Sequence, residues 1–320
     1  MSSSRARAGL LQICLAGVLW GTGGLAVQVV RDHAPLSVLT ISGWRTGLAA
    51  VVLLAAALVA GRLGEVRRLL RARPGRVAVV GLCTAAYQAL YFASVVLVGV
   101  TVSTVVSLGL APVLLVARDA VVARSRPRGV LPVLAALTGL VLVSTAAGPG
   151  ETGPTPVLGV LAAVASGTAY AAATALGEPL ARGSDPLALT AATTTVGAVG
   201  LVPVALLLGG PAGTSDPVAL AVLVYLGTLT FALAYALLYA GLRTTSSSAA
   251  VVATLVEPVT AGLVAAVFLG ERLGVLGVAG MVLVLSAIAS LPRAGRAGRA
   301  GARGLPASGP VVGGPPGTTA

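Results

Sequence analysis

The feature that most restricts this chain is the recurrence, from Gly9 to Leu291, of apolar runs long enough to cross a hydrocarbon layer. Ten can be marked: 9–30, 36–60, 75–98, 101–122, 129–147, 156–176, 186–208, 218–241, 246–268 and 274–291. A helical crossing needs about 20 residues, and lipid offers no partner for free backbone N–H and C=O groups. The alternation expected of barrel strands is absent, so the runs are read as helices. Only 9% of residues are charged, against roughly a quarter in soluble domains, too few to cover a water-facing surface. The first run follows a basic start, as a secretory signal does. Its apolar stretch continues past Trp20 to Val30, so an uncleaved first span is expected.

Charge placement gives orientation. The 21 basic residues are all arginine, and 17 of them flank the same face if the N-terminus is inside. Only Arg31 and Arg272 then fall outside, while Arg45 and Arg118 lie within spans. The excess of arginine on cytoplasmic flanks predicts that both termini are cytoplasmic. It also explains the net charge of +12 without nucleic acid, which is not expected as a partner. Residues 292–320 are rich in Arg, Gly and Pro with no apolar periodicity, and are read as a disordered tail, either solvated or touching anionic headgroups.

The chain also repeats itself. Gly21 and Gly167, each before Thr, lie 146 residues apart, as do Pro112 and Pro258. YQALY at 87–91 returns as YALLY at 235–239, and GVLPV at 129–133 as GVLGV at 274–278. The expected organisation is an N-terminal segment 1–8, a first unit 9–147, an outer linker 148–155, a second unit 156–291 and the tail. Five spans per unit, an odd number, make the second unit enter the membrane from the opposite face, the inverted-repeat plan of secondary transporters. The expected fold is therefore an all-α polytopic membrane protein with ten transmembrane helices in two inverted five-helix repeats.

Two stretches carry a family resemblance. LWGTGGLAVQVVRDHAPLSVLTISGWRTGLAAVVLL resembles the opening of an EamA domain, with Trp-Gly in span 1, Pro in the next loop and Arg in span 2. YLGTLTFALAYALLYAGLRTTSSSAAVVATLVEPVTAGLVAAVFLGERLGVLGVAGMVLVLSA is similar to its end. The resemblance covers about residues 10–291 as two copies. It implies the drug/metabolite transporter (DMT) superfamily, with small-molecule transport that is often export. The first copy departs from the pattern. Ser125 stands where the second copy has Glu271, and Asp119 occupies a position usually apolar, read as a local ion pair with Arg118 or as a gate.

Within the spans, polar groups are few enough to name. Glu257 sits mid-span in LVEPV, where an acid costs about 2.5–3.5 kcal/mol on insertion scales and usually faces a cavity or a partner. Its neighbours at i±3 and i±4 are Ala253, Thr254, Thr260 and Ala261, a small and mildly polar face. Pro258 and Pro112 are expected to kink their helices. Glu257 is read either as a proton-coupling or substrate-contacting carboxyl, or as a structural acid at the kink. Arg45 is too deep to snorkel; it is read as pairing with an acid such as Glu257, attracting a substrate anion, or packing helices. Tyr87 and Tyr91 share one face of span 3, and Tyr235 and Tyr239 one face of span 8. With Trp20, Gln88, Thr104, Ser107, Tyr170 and Thr254 they are read as cavity lining for amphipathic or cationic cargo, or as interhelical glue.

One histidine and no acid cluster leave no metal site, no nucleotide phosphate loop is present, and no cofactor or enzymatic activity is expected. The expectation is a secondary active transporter of the cell membrane. It exports small metabolites, amino-acid-like compounds or drugs by alternating access, with proton coupling through Glu257. An importer or uniporter of the same fold is the alternative, and a non-transporting membrane interaction protein is the alternative of another class. Monomer and homodimer stay open.

Overall fold

The computed structural model describes residues 3–123, 130–146, 155–268 and 274–303, and every regular element among them is helical. Span 1 consists of α1 (Ser3–Gly21) and α2 (Gly23–His33), and span 2 is α3 (Val38–Val59). After α4 (Leu63–Ala72), α5 (Pro74–Val98), α6 (Val100–Ala123) and α7 (Val130–Ala146) form spans 3 to 5. The second unit has α8 (Pro156–Arg182) and α9 (Pro186–Leu208) as spans 6 and 7. Span 8 is α10 (Pro217–Gly227), a π-helical turn (Thr228–Leu233) and α11 (Ala234–Leu242). Span 9 is α12 (Ser247–Ala253) and α13 (Val256–Phe268), and span 10 opens α14 (Val275–Arg303).

Helix starts follow local chemistry. Asp185 and Asp216 each accept a bond from the backbone N–H three residues on, at 3.0 and 2.8 Å, and each precedes a proline at the first helical position. Such a proline gives up an N–H that would have been orphaned anyway. Between spans 3 and 4 the connection is Gly99 alone, at φ 91°. Glycine is suited to that left-handed turn because it has no Cβ.

Eight helical stretches are long and apolar enough to cross a membrane, and Val130–Thr145 and Val275–Leu291 are shorter apolar helices. These two shorter spans pack on each other where Gly139 meets Gly280. A Cβ on either glycine would stand within 2.7 Å of the other's carbonyl oxygen, so the backbones touch without side chains between them. Large apolar side chains such as Leu131, Leu207 and Leu58 are exposed on the outside of the bundle, as a lipid-facing surface requires.

The packing shows the two units to be related by exchange. Helix α5 of the first unit lies along α8, while α11 and α10 of the second lie along α1 and α2. Helix α6 packs on α8, and α12 and α13 pack on α1. The pairs α3 with α9 and α7 with α14 are their own counterparts. Swapping the units maps these contacts onto one another, and five spans per unit make the relation an inversion across the membrane. The protein is an all-α polytopic membrane protein.

Three elements differ from the sequence expectation. Helix α4 lies in what reads as an arginine-rich loop; it buries Val66 and packs Leu63, Leu69 and Leu70 on the core, while Arg67, Arg68 and Arg71 remain on its other side. Span 6 continues from 176 to Arg182, because Leu180 and Ala181 are buried and Glu178 pairs with Arg182 one turn on. Helix α14 runs beyond Leu291 to Arg303 instead of ending in irregular tail, although Pro292 and the three glycines of that stretch are poor helix formers. Ser125, Glu271, linker residues 148–154 and tail residues 304–320 lie outside the described residues.

Candidate functional site

Aromatic residues collect at the centre of the bundle, on helices from both units. Tyr87 stacks on Tyr170 with ring centres 4.8 Å apart, and Tyr91 lies 6.3 Å from Tyr87. On span 8, Tyr235 contacts Phe231 at 4.8 Å, Trp20 at 5.1 Å and Tyr239 at 6.5 Å. Tyr87, Tyr170, Tyr235 and Tyr239 line one cavity together with Thr84, Ala173, Thr174 and Leu238. It has room for about a single water molecule, so a substrate requires the rings to part.

Phenol oxygens on helices of both units are tied down: Tyr91 bonds to Thr104 at 2.9 Å and Tyr170 to Thr254 at 2.9 Å. Ser107 donates to the carbonyl of Ala163 at 3.0 Å, joining spans 4 and 6 as packing and not as cavity wall. Gln88 is buried on α5 but is not part of the cavity lining.

Beside the ring cluster, three of the ten spans lose helical regularity. In span 9, Pro258 has no N–H for the Thr254 carbonyl, which accepts from Glu257 N at 2.9 Å instead. The helix breaks at Thr254–Leu255 and restarts with Glu257 in the first turn of α13. In span 1 the break is at Thr22, whose hydroxyl donates to Leu19 O at 2.7 Å and meets Tyr225 OH at 2.6 Å. In span 8 the π turn carries Thr230 and Phe231, and such turns are frequent at functional sites. The breaks of spans 1 and 9 touch, since a Cβ on Gly21 would lie 2.5 Å from Glu257 O. Pro112, the repeat counterpart of Pro258, sits inside an unbroken α6.

Arg45 and Glu257 are the charged residues of this region, one against the π turn and the other at the span 9 break. Arg45 is 6% exposed, with its guanidinium 5.9 Å from the centres of both the Phe92 and Phe231 rings. Its Nη2 reaches Thr230 Oγ1 at 3.4 Å, and its Nε has no partner. Glu257 is half-buried, and its carboxyl makes no hydrogen bond or ion pair among the described residues. The Arg45–Glu257 pairing raised by the sequence is thus not a contact pair. The two groups interact only through longer-range electrostatics, which also reach Tyr87 and Tyr235.

Sequence reasoning missed Phe92, Phe231, Thr230 and Thr84. Phe231 and Thr84 stand one helical turn from Tyr235 and Gln88 respectively, a signal that was available. It also missed Glu178, 14% exposed, which accepts from Ser247 N at 2.8 Å and pairs with Arg182, joining span 6 to the start of span 9. Arg118 and Asp119 form an adjacent pair at 3.8 Å, each about half-exposed.

Fold and site together define a multi-pass membrane protein with two inverted units around a polar, aromatic centre that broken helices border. The sequence matches the EamA-like transporter family over residues 7–145 and 157–291. The chain belongs to that family, and is a membrane transporter. It is 29% identical over 265 residues to the uncharacterized transporter YwfM of Bacillus subtilis (strain 168), across 82% of this chain and 86% of that one. A protein of known crystal structure, 22% identical, superposes with a TM-score of 0.75 over 93% of this chain and 99% of its own. That likeness concerns the fold alone.

Proposed function

We propose that this transporter is a secondary active exporter of small metabolites, amino-acid-like compounds or drugs. It works by alternating access between the two inverted units, in the cell membrane with both termini cytoplasmic. The observation that carries the reading is Glu257, a carboxyl without a bonded partner, at the break of span 9 and within electrostatic reach of Arg45 and the tyrosines. An acid held so deep, against a helix end that favours its anion, is suited to taking up and releasing one proton per cycle. Trp20, Tyr87, Tyr170, Tyr235 and Tyr239 form the gate that parts around cargo, and the breaks in spans 1 and 9 are where the backbone turns.

The test uses acid-loaded inverted vesicles, challenged with amino acids, nucleosides and cationic drugs, with wild type beside Glu257→Gln at equal folded amounts. Substrate-evoked proton movement across the membrane in wild type, lost in the variant, is expected. Substrate flux without proton movement indicates a uniporter. Net movement in the opposite sense indicates an importer. Absence of any flux across the panel and in direct uptake assays favours a non-transporting interaction protein.

A further inference from the structure

We propose that Arg45 is the receptor for a carboxylate on the cargo, and that this carboxylate and ionised Glu257 take turns as its counter-ion. The proposal rests on the transporter reading of the same site and adds a substrate class to it, an apolar or aromatic monocarboxylate.

The buried charge of Arg45 is unbalanced. A guanidinium has five N–H donors and cannot lose its charge. That of Arg45 makes one long contact, to Thr230 Oγ1, whose own proton goes to Leu226 O at 2.7 Å. Its Nε is buried and unpartnered, and no carboxylate pairs with it among the described residues. Burial of a cation in this condition costs heavily unless an anion completes it. Phe92 and Phe231 hold the group by their ring faces. They steady the fork sterically, and its unpartnered Nε leaves a donor that a planar carboxylate matches bidentately together with a neighbouring N–H.

Charge arithmetic selects the class. Arg45 is the only charged side chain classed as buried among the described residues, so a dianion such as a phosphate monoester brings a charge that nothing neutralises. The flanking rings and the tyrosine-lined cavity favour an apolar body on the anion. The titratable side chains in electrostatic reach of Glu257 are Arg45, Tyr87, Tyr91, Tyr170 and Tyr235. Of these, only Arg45 is charged near neutrality. With Glu257 ionised the pair is neutral, and adding a carboxylate leaves one buried negative charge. Protonating Glu257 restores neutrality. Cargo and an ionised Glu257 therefore exclude each other, so a carboxylate cargo is loaded together with a proton on Glu257.

The test measures binding to the full-length protein in detergent by tryptophan fluorescence, in a Trp44→Phe background that leaves Trp20 against Tyr235. The probes are butyrate, octanoate, benzoate, phenylacetate and indole-3-acetate, each beside its neutral amide. At least one acid is expected to bind ten-fold or more tightly than its amide, and more tightly as pH falls from 8 to 6. Arg45→Gln is expected to abolish the acid–amide difference. Glu257→Gln is expected to bind the acid several-fold more tightly than wild type, with no pH dependence, because it removes the competing anion.

Equal binding of every acid and its amide overturns the proposal, and so does a Glu257→Gln variant that weakens acid binding as Arg45→Gln does. Arg45→Lys keeps the charge without the fork and carries the test if Arg45→Gln does not fold. It is expected to lose part of the acid preference, and wild-type preference in it overturns the fork. The two readings separate cleanly. Acid binding with this pattern but no Glu257-dependent proton movement in vesicles removes the proton-coupling reading and keeps the receptor. Proton movement lost in Glu257→Gln without any acid–amide difference does the reverse.

Discussion

Tyr170 donates its hydroxyl proton to Thr254 Oγ1 across 2.9 Å, and the direction follows from Thr254 giving its own proton to the Val251 carbonyl at 3.0 Å. One buried bond thereby ties span 6 of the second unit to the break in span 9. The break is held from the side as well as created along the chain by Pro258.

Tyr170→Phe keeps the ring stacked on Tyr87 and removes only this bond. The expected loss is about 1 kcal/mol of stability in denaturation of the detergent-solubilised protein. Thr254→Ala is expected to cost a similar amount, and the double variant clearly less than the sum of the two. Additive losses count against a shared bond.

Gly21→Ala places a methyl group 2.5 Å from both Glu257 O and Thr260 Cβ. Spans 1 and 9 must then separate at their breaks, at an expected cost of about 1–3 kcal/mol together with loss of transport. Gly24→Ala meets nothing within 4 Å and is expected to match wild type in both readings. Equal behaviour of the two variants in thermal unfolding and flux assays contradicts this account of the contact.

Glu178 and Asp119 both pair with arginines, yet their substitutions should differ. Glu178 is 14% exposed and also caps the start of α12 through Ser247 N, so Glu178→Ala is expected to cost about 1–3 kcal/mol. Asp119 is 48% exposed beside Arg118, and Asp119→Asn is expected to change stability by under about 1 kcal/mol. Chemical denaturation of the two variants in one detergent compares them directly.

The arginine distribution predicts that reporters fused at residue 1 or residue 320 are cytoplasmic, and that a cysteine placed at Gly213 is labelled by an impermeant reagent from outside. Labelling of that cysteine only after membrane permeabilisation reverses the assigned orientation.

The sequence by itself determined the number and approximate positions of the spans, the duplication and hence the inversion, because each depends on local composition and order. Span length is set by hydrocarbon thickness, and five spans per unit force the second copy to enter from the other face. It also singled out Glu257, since an acid inside an apolar run is conspicuous without any neighbours. Helix α4 was legible too, in the spacing of Leu63, Val66 and Leu70, but was hidden among arginines.

Tertiary structure decided which of these groups meet. Nothing in the local sequence says that Pro258 breaks its helix while Pro112 does not, that Gly21 abuts Glu257, or that Phe92 and Phe231 flank Arg45. These are contacts between residues 47 to 236 positions apart, or differences in how similar segments are packed. Ser107 and Thr254 read alike in sequence, yet one joins two helices and the other stands at the break beside the tyrosines. A side chain's chemistry is carried by its type, but its partner is chosen by the fold. That is why the separation of Arg45 from Glu257, on which the exchange of counter-ions depends, emerged only once the helices were packed.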